Sequence, residues 1–216
     1  ERGGNWQLCL AKIARKEDPN FPNATLIEEE VLLPSTTVER AYPQFSPDGK
    51  MLAIAASGEA FNKIGLKIAP GQTSNMADGQ LFLYDPASKQ ANPVTKDFNP
   101  SVQNFVWNKG DKQIYLQGED KDCVRLYVLN PSTGKILPIP LKEDILSDFT
   151  IAETTPELVY FGESASNSQR LYSINLKIMG KANQSINVDK YDLLISLRWV
   201  KEFALHNPII MIILVT

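Results

Sequence analysis

Leu81-Phe82-Leu83-Tyr84-Asp85-Pro86 is a phrase that this sequence repeats. It returns as Leu126-Tyr127-Val128-Leu129-Asn130-Pro131 and again as Leu171-Tyr172-Ser173-Ile174-Asn175-Leu176. From Leu81 to Leu126 is 45 residues, and from Leu126 to Leu171 is 45 again. Each copy is a short run of Leu, Ile, Val, Phe and Tyr closed by Asp or Asn, which reads as a strand running into a turn.

The repetition extends on both sides. Ahead of each phrase lies another apolar strand: Met51 to Ala56, Ile114 to Gln117, and Leu158 to Gly162. A polar turn separates the two, as in Gly118-Glu119-Asp120-Lys121-Asp122 or Glu163 to Gln169. A second turn follows, Asp85-Pro86-Ala87-Ser88-Lys89 or Asn130-Pro131-Ser132-Thr133-Gly134-Lys135, and then a short strand, Ala91 to Thr95 or Ile136 to Ile139. Strands alternate with Gly, Pro, Asn and Asp turns at a period suited to propeller blades. The expected fold is all-β: a partial β-propeller built of four-stranded antiparallel blades. The expected domain is 1–190, divided into a fragment blade at 1–33 and blades at about 34–95, 96–141 and 142–180. Several strands alternate only weakly, as strands covered on both faces do.

The sharpest local signal is Tyr42-Pro43-Gln44-Phe45-Ser46-Pro47-Asp48-Gly49-Lys50, followed by the apolar Met51-Leu52-Ala53-Ile54. Pro fixes φ, Asp bonds the backbone ahead and Gly accepts a positive φ, so Pro47-Asp48-Gly49 reads as a tight hairpin turn. Trp107-Asn108-Lys109-Gly110-Asp111-Lys112 fills the same place in the next repeat. The repeat residues are thus Phe45, Ser46, Pro47, Asp48, Gly49, Trp107, Gly110 and Asp111, with Tyr84, Tyr127 and Tyr172 from the recurring phrase. Phe45 and Trp107 are expected to wedge between blades. Residues 14–33 and 58–80 interrupt the pattern and are expected to be loops reaching beyond the blade rim, where function concentrates.

The 26 residues 191–216 change character, ending Pro208-Ile209-Ile210-Met211-Ile212-Ile213-Leu214-Val215-Thr216. This apolar run is too short for a membrane-spanning helix and does not repeat the phrase, so it reads as an anomalous tail or a truncated blade. No signal peptide is visible at Glu1. The chain opens in what reads as the second half of a repeat, and further sequence is expected ahead of it.

The net charge of -3 comes with Lys and Arg scattered among Asp and Glu, which argues against nucleic-acid binding. Cys9 and Cys123 define no disulfide framework and lie in apolar runs, where they are expected as small buried hydrophobes. With no CxxC and a single histidine, His206, no zinc site, other metal site or cofactor is expected. Glu119-Asp120-Lys121-Asp122 lacks the ligand spacing of a calcium loop and reads as a polar turn. Asn23-Ala24-Thr25 matches a glycosylation acceptor, a triplet that chance supplies often. Residues 58–79 contain glycines without phosphate-loop spacing.

Phe45-Ser46-Pro47-Asp48-Gly49-Lys50 before an apolar strand resembles the repeat shared by the Tol-system periplasmic propeller and the prolyl oligopeptidase family. Glu1-Arg2-Gly3-Gly4-Asn5-Trp6-Gln7-Leu8 looks like the inner part of a preceding blade of that type. The stretch from Asn75 to Lys135 goes further. Asp78-Gly79-Gln80-Leu81-Phe82-Leu83-Tyr84, Val94 to Val102, Trp107 and Glu119-Asp120-Lys121-Asp122-Cys123 together resemble the N-terminal propeller of dipeptidyl-peptidase-like serine peptidases. The resemblance covers roughly residues 1–180. It implies a substrate-gating and docking propeller whose partners are an α/β-hydrolase domain of the same parent chain and peptide substrates, in the periplasm or secreted from a bacterium. The alternative it leaves open is a non-enzymatic Tol-like propeller that binds proteins.

The family's serine elbow is missing from this sequence. Gly162-Glu163-Ser164-Ala165-Ser166 comes nearest but lacks the closing glycine and falls in an expected hairpin turn. With His206 in the tail, no catalytic residue is assigned here. Glu28-Glu29-Glu30 and Glu39-Arg40 bring to mind the glutamates that hold a peptide amine in dipeptidyl peptidases. They do not match that motif residue by residue and read as a solvated loop.

Overall fold

The computed structural model describes residues 8–15, 25–33, 42–69, 71–73 and 78–178. The described chain is mostly β-strand with almost no helix, and it divides into two compact units, Glu1–Val102 and Gln103–Thr216.

The first unit holds two sheets. β1 (Leu8–Arg15) and β2 (Thr25–Leu33) form an antiparallel pair. Sequence reasoning placed residues 14–33 in a loop, but Thr25–Leu33 is a strand. Leu26, Ile27, Val31, Leu32 and Leu33 bracket the acidic triplet with residues suited to a strand. The second sheet runs in chain order through β3 (Tyr42–Phe45), β4 (Leu52–Ser57), β5 (Gly79–Asp85) and β6 (Gln90–Pro93), every pairing antiparallel. β4 is buried at five consecutive positions and β5 at four, so both faces are covered and the continuous apolar run is what such strands require. Leu33, Leu52, Ile54, Ala56, Phe82 and Tyr84 form the core, with Leu8 and Leu10 of β1 packed against it. Fully burying a Leu or Phe side chain contributes about 1.5–3 kcal/mol.

Between β4 and β5 lies one short turn, α1 (Ala60–Lys63), in a segment with no helical periodicity. Phe61, Asn62 and Lys63 all take left-handed φ values of 52°, 62° and 67°. The Phe61 ring stacks on Tyr84 with centroids 5.9 Å apart and lies 5.3 Å from Phe82.

β7 (Ser101–Trp107) carries the chain from the first unit into the second. There β8 (Ile114–Asp120), β9 (Cys123–Leu129), β10 (Ile136–Ile139), β11 (Ile145–Ile151), β12 (Glu157–Ser164) and β13 (Asn167–Asn175) complete one seven-stranded sheet. Separate four-stranded blades were expected here. Instead, β11 joins β9 through one parallel register pair, Val124 with Ile145, and the sheet is open. Tyr115, Leu126 and Ile139 pack with Leu146, Phe149, Ile151, Leu158, Tyr160 and Tyr172 in a single core. The 191–216 tail and His206 lie outside the described residues.

Candidate functional site

The turn residues singled out in the sequence close equivalent hairpins. The Ser46 N–H bonds the Met51 carbonyl at 2.8 Å, Asn108 bonds Gln113 at 2.9 Å, and Ala152 bonds Glu157 at 2.9 Å. In the first turn the Ser46 hydroxyl donates to Asp48 at 2.7 Å and accepts the Met51 N–H at 2.9 Å, while Gly49 takes φ 72°. The Ser46 hydrogen bond, with the Lys50 N–H, holds the Asp48 carboxyl below its usual range. In the second turn Asn108 Oδ1 accepts the Gly110 N–H at 2.9 Å and Asp111 accepts the Tyr115 hydroxyl at 2.6 Å. Burial and that bond push the Tyr115 phenol up. Trp107 Nε1 donates to the Lys112 carbonyl at 3.2 Å.

The 45-residue period is also a geometry. Asp85, Asn130 and Asn175 each accept the backbone N–H two residues on, from Ala87 at 2.9 Å, Ser132 at 3.0 Å and Lys177 at 3.0 Å. These Asx turns end each recurring phrase.

Phe45 and the cysteines depart from expectation. Phe45 is 51% exposed, unlike Trp107 at 5%, so it is no buried wedge; β3 is an end strand of its sheet. At the 45-residue step, Phe82, Tyr127 and Tyr172 pair with Ile54, Leu116 and Tyr160 on the equivalent neighbouring strands. The cysteines are free; Cys9 is exposed and Cys123 half-buried. Leu8 and Leu10 pack against the core, and strand alternation turns Cys9 to the opposite face. Cys123 follows the two-residue turn Lys121–Asp122, where its Sγ lies 3.4 Å from Arg125 Nη2.

The 58–80 excursion shapes an open cleft of about 340 Å³ in the first unit. It is lined by Gly58 and residues 65–68 of the excursion, by Asp78 and Gln80, and by residues 96–99. Lys67 Nζ meets Asp97 at 2.6 Å and holds that carboxyl below its usual range. Lys96 Nζ donates to the Ile64 carbonyl at 2.9 Å. A Cβ on Gly65 would lie 2.8 Å from the Phe82 ring and 3.0 Å from the Gly58 backbone, so the loop folds back on itself only with glycine there. Two lysines, two aspartates and two amides line the cleft, a lining suited to polar, charge-paired contacts rather than to an apolar small molecule. The sequence marks 58–80 as a loop and Asp78, Gln80 and 96–99 as part of the family resemblance, but none of them as lining a cleft. No periodicity marks them, because they come from separate parts of the chain.

The second unit holds a buried polar cluster that sequence reasoning missed. Glu143, 6% exposed, accepts the Tyr172 hydroxyl at 2.6 Å and Asn167 Nδ2 at 3.4 Å, and is hydrogen-bonded by Ser164. The Tyr172 bond leads in holding the Glu143 carboxyl below its usual range, while burial and Glu143 push Tyr172 up to about 12. Ser164 closes β12 at the β12–β13 hairpin, as expected for that string. Glu119 and Asp120 end β8. Among the described residues no three His, Cys, Asp or Glu side chains gather as a metal set. Glu28, Glu29 and Glu30 fall in β2; Glu39, Arg40 and Asn23 lie outside the described residues.

No family model and no curated protein matches the chain. Solved structures do. TolB from Acinetobacter baumannii is similar at a TM-score of 0.52 and 13% identity, over 74% of this chain and 34% of that one. Puromycin hydrolase is similar at 0.51 and 15%, over 76% of this chain and 22% of that one. The β-propeller domain of the trilobed protease from Pyrococcus furiosus aligns at 0.49 and 16%, over 85% of this chain and 49% of that one. The fold is a β-propeller's. The chain spans about a third of the TolB structure and about a fifth of the hydrolase. No described helix is long and apolar enough to cross a membrane.

Proposed function

We propose that this chain is the substrate-gating and docking propeller of a serine peptidase of the prolyl oligopeptidase family. Its blades divide near 34–95, 96–141 and 142–180, and the protein works in the periplasm or outside the cell. The catalytic Ser, Asp and His belong to a hydrolase domain carried by other sequence of the parent. In this reading the propeller controls access for peptides and docks the hydrolase domain, and the cleft beside Lys67 and Asp97 serves as a polar contact for one of these partners.

The observation that carries the reading is the stretch from Asn75 to Lys135, whose quoted segments together resemble the peptidase propellers. The runner-up is a Tol-like propeller that binds proteins and has no enzymatic partner. The fold does not separate them, since the TM-scores to TolB and to puromycin hydrolase are 0.52 and 0.51.

The test uses producing cells, an antibody to residues 1–180 and a serine-reactive fluorophosphonate probe. A labelled, antibody-positive band far above 24.1 kDa is expected. A single unlabelled band near that mass would remove the peptidase reading and leave the binding module.

A further inference from the structure

We propose that Glu143 is a latch that holds shut the seam between the two halves of the seven-stranded sheet. The seam is narrow. Strands β7 to β10 follow one another as neighbours, antiparallel from β8 onward, and β11 to β13 are antiparallel neighbours. Between them lies the single parallel pair of Val124 and Ile145, beside the bond from the Val124 N–H to the Asp144 carbonyl at 3.0 Å. Away from that point, the Gln117 amide reaches across to the Leu146 carbonyl at 2.9 Å.

Asp144 and Ile145 therefore carry the backbone links, and the residue immediately before them is fixed from the other side. Glu143 is held by the Tyr172 hydroxyl and by Ser164 and Asn167 of the β12–β13 hairpin. Room for it is made by Gly162, where a Cβ would come within 3.2 Å of Glu143 Cβ and Cγ. Its neighbour Lys142 is held as well: its N–H reaches the Tyr160 hydroxyl at 3.4 Å, and its ammonium sits 5.8 Å from the centre of the Tyr172 ring. Tyr160 and Tyr172 are themselves stacked at 5.1 Å. A carboxylate this buried is tolerable only while its donors remain, so the cluster is either intact or expelled toward water. Loss of the carboxylate frees the 142–144 segment, and with it the Asp144 carbonyl that closes the seam. The ladders on either side do not depend on it, so opening is confined to the seam.

The test is amide hydrogen exchange on the full chain. With Glu143→Ala, exchange at Val124 accelerates by about tenfold or more beyond whatever acceleration the β12–β13 amides show, as expected for loss of a buried charged hydrogen-bond hub at the seam. Glu143→Gln retains an acceptor for Tyr172 and restores most of the protection. If Glu143→Ala does not fold, Tyr172→Phe removes one donor and leaves the ring stacked, and Val124 again leads. Equal acceleration at Val124 and across β12–β13, or no acceleration at Val124, overturns the latch.

Discussion

The two units join equivalent strands by opposite means. In the second unit β8 passes to β9 through Lys121 and Asp122 alone, with Lys121 at φ 60° and Asp120 paired to Cys123. In the first unit the same connection, β4 to β5, runs out through residues 58–78 before Ser57 pairs with Gly79. The ladders at both ends are ordinary antiparallel pairs. What the repeat preserves is the strand phrase and its closing turn; the length of the connection is left free, because loop-closure entropy grows only slowly with length. The long connection instead concentrates local cost in three successive left-handed residues, offset by the packing of Phe61 on Phe82 and Tyr84.

The largest effects should come where each unit relies on a close approach of backbone. A Cβ on Gly79 would sit 2.0 Å from the Val102 carbonyl oxygen, and one on Gly110 would sit 2.5 Å from that of Glu153. Neither obstacle is a side chain that can swing aside. Gly79→Ala and Gly110→Ala should each lose about 2–3 kcal/mol in denaturant titrations, with Gly79→Ala the worse. A harmless Gly79→Ala would mean that the long connection leaves β5 free to shift, and the two units would then differ in rigidity as well as in loop length.

Next comes the shared aromatic position. Tyr172 in the second unit gives its hydroxyl to Glu143, whereas Phe82 in the first has no hydroxyl and is fully buried. Tyr172→Phe should cost about 1–3 kcal/mol, because a buried carboxylate loses its shortest hydrogen bond. Phe82→Tyr should cost a similar amount for the reverse reason, burying a hydroxyl in an apolar core. Thermal melts of the pair test whether the position is polar in one unit and apolar in the other by necessity. Two neutral substitutions would make the difference incidental.

The same cluster sets a pH dependence in the second unit. The Glu143 carboxyl lies below its ordinary 4.5, so the folded state binds the proton less readily than the unfolded chain. Its contribution is complete above that ordinary value and is lost as the pH falls through the lower, folded one. Tyr172 runs the other way: raised from 10.0 to about 12, it costs stability as the pH climbs through that interval. Urea midpoints followed against pH should show a shallower acid limb in Glu143→Gln than in the parent chain. Parallel limbs would remove Glu143 from the acid response.

Much of this was legible in the sequence. The recurring phrases became β5, β9 and β13, and Ser46-Pro47-Asp48-Gly49 became a closed turn, because strand composition and turn chemistry are local properties. Two features were not legible, and both depend on what lies across a sheet. Thr25–Leu33 looked like a loop because its acidic triplet outweighs its apolar ends until β1 supplies a pairing partner. Glu143 stands in no motif of the sequence, since its donors come from residues 164, 167 and 172.

The smallest expected effect tests the repeat at its finest grain. Lys89 and Gly134 lie 45 residues apart, each four residues beyond the Asp85 or Asn130 that caps the turn. They share a left-handed backbone, φ 58° and φ 71°, and each N–H bonds the carbonyl of that capping residue, at 2.8 Å and 2.9 Å. The second unit fills the position with the residue that accepts this conformation freely, and the first fills it with lysine, whose Cβ makes it costly. Lys89→Gly should therefore stabilise the chain by about 0.5–1 kcal/mol, the relief of left-handed strain outweighing the added freedom of the unfolded chain. Gly134→Ala should lose about as much, although nothing stands within 4 Å of its missing Cβ, so the loss isolates backbone conformation from crowding. Opposite signs of similar size would establish the two turns as one design. A destabilising Lys89→Gly would show that the lysine side chain holds its turn through contacts that the glycine turn does without.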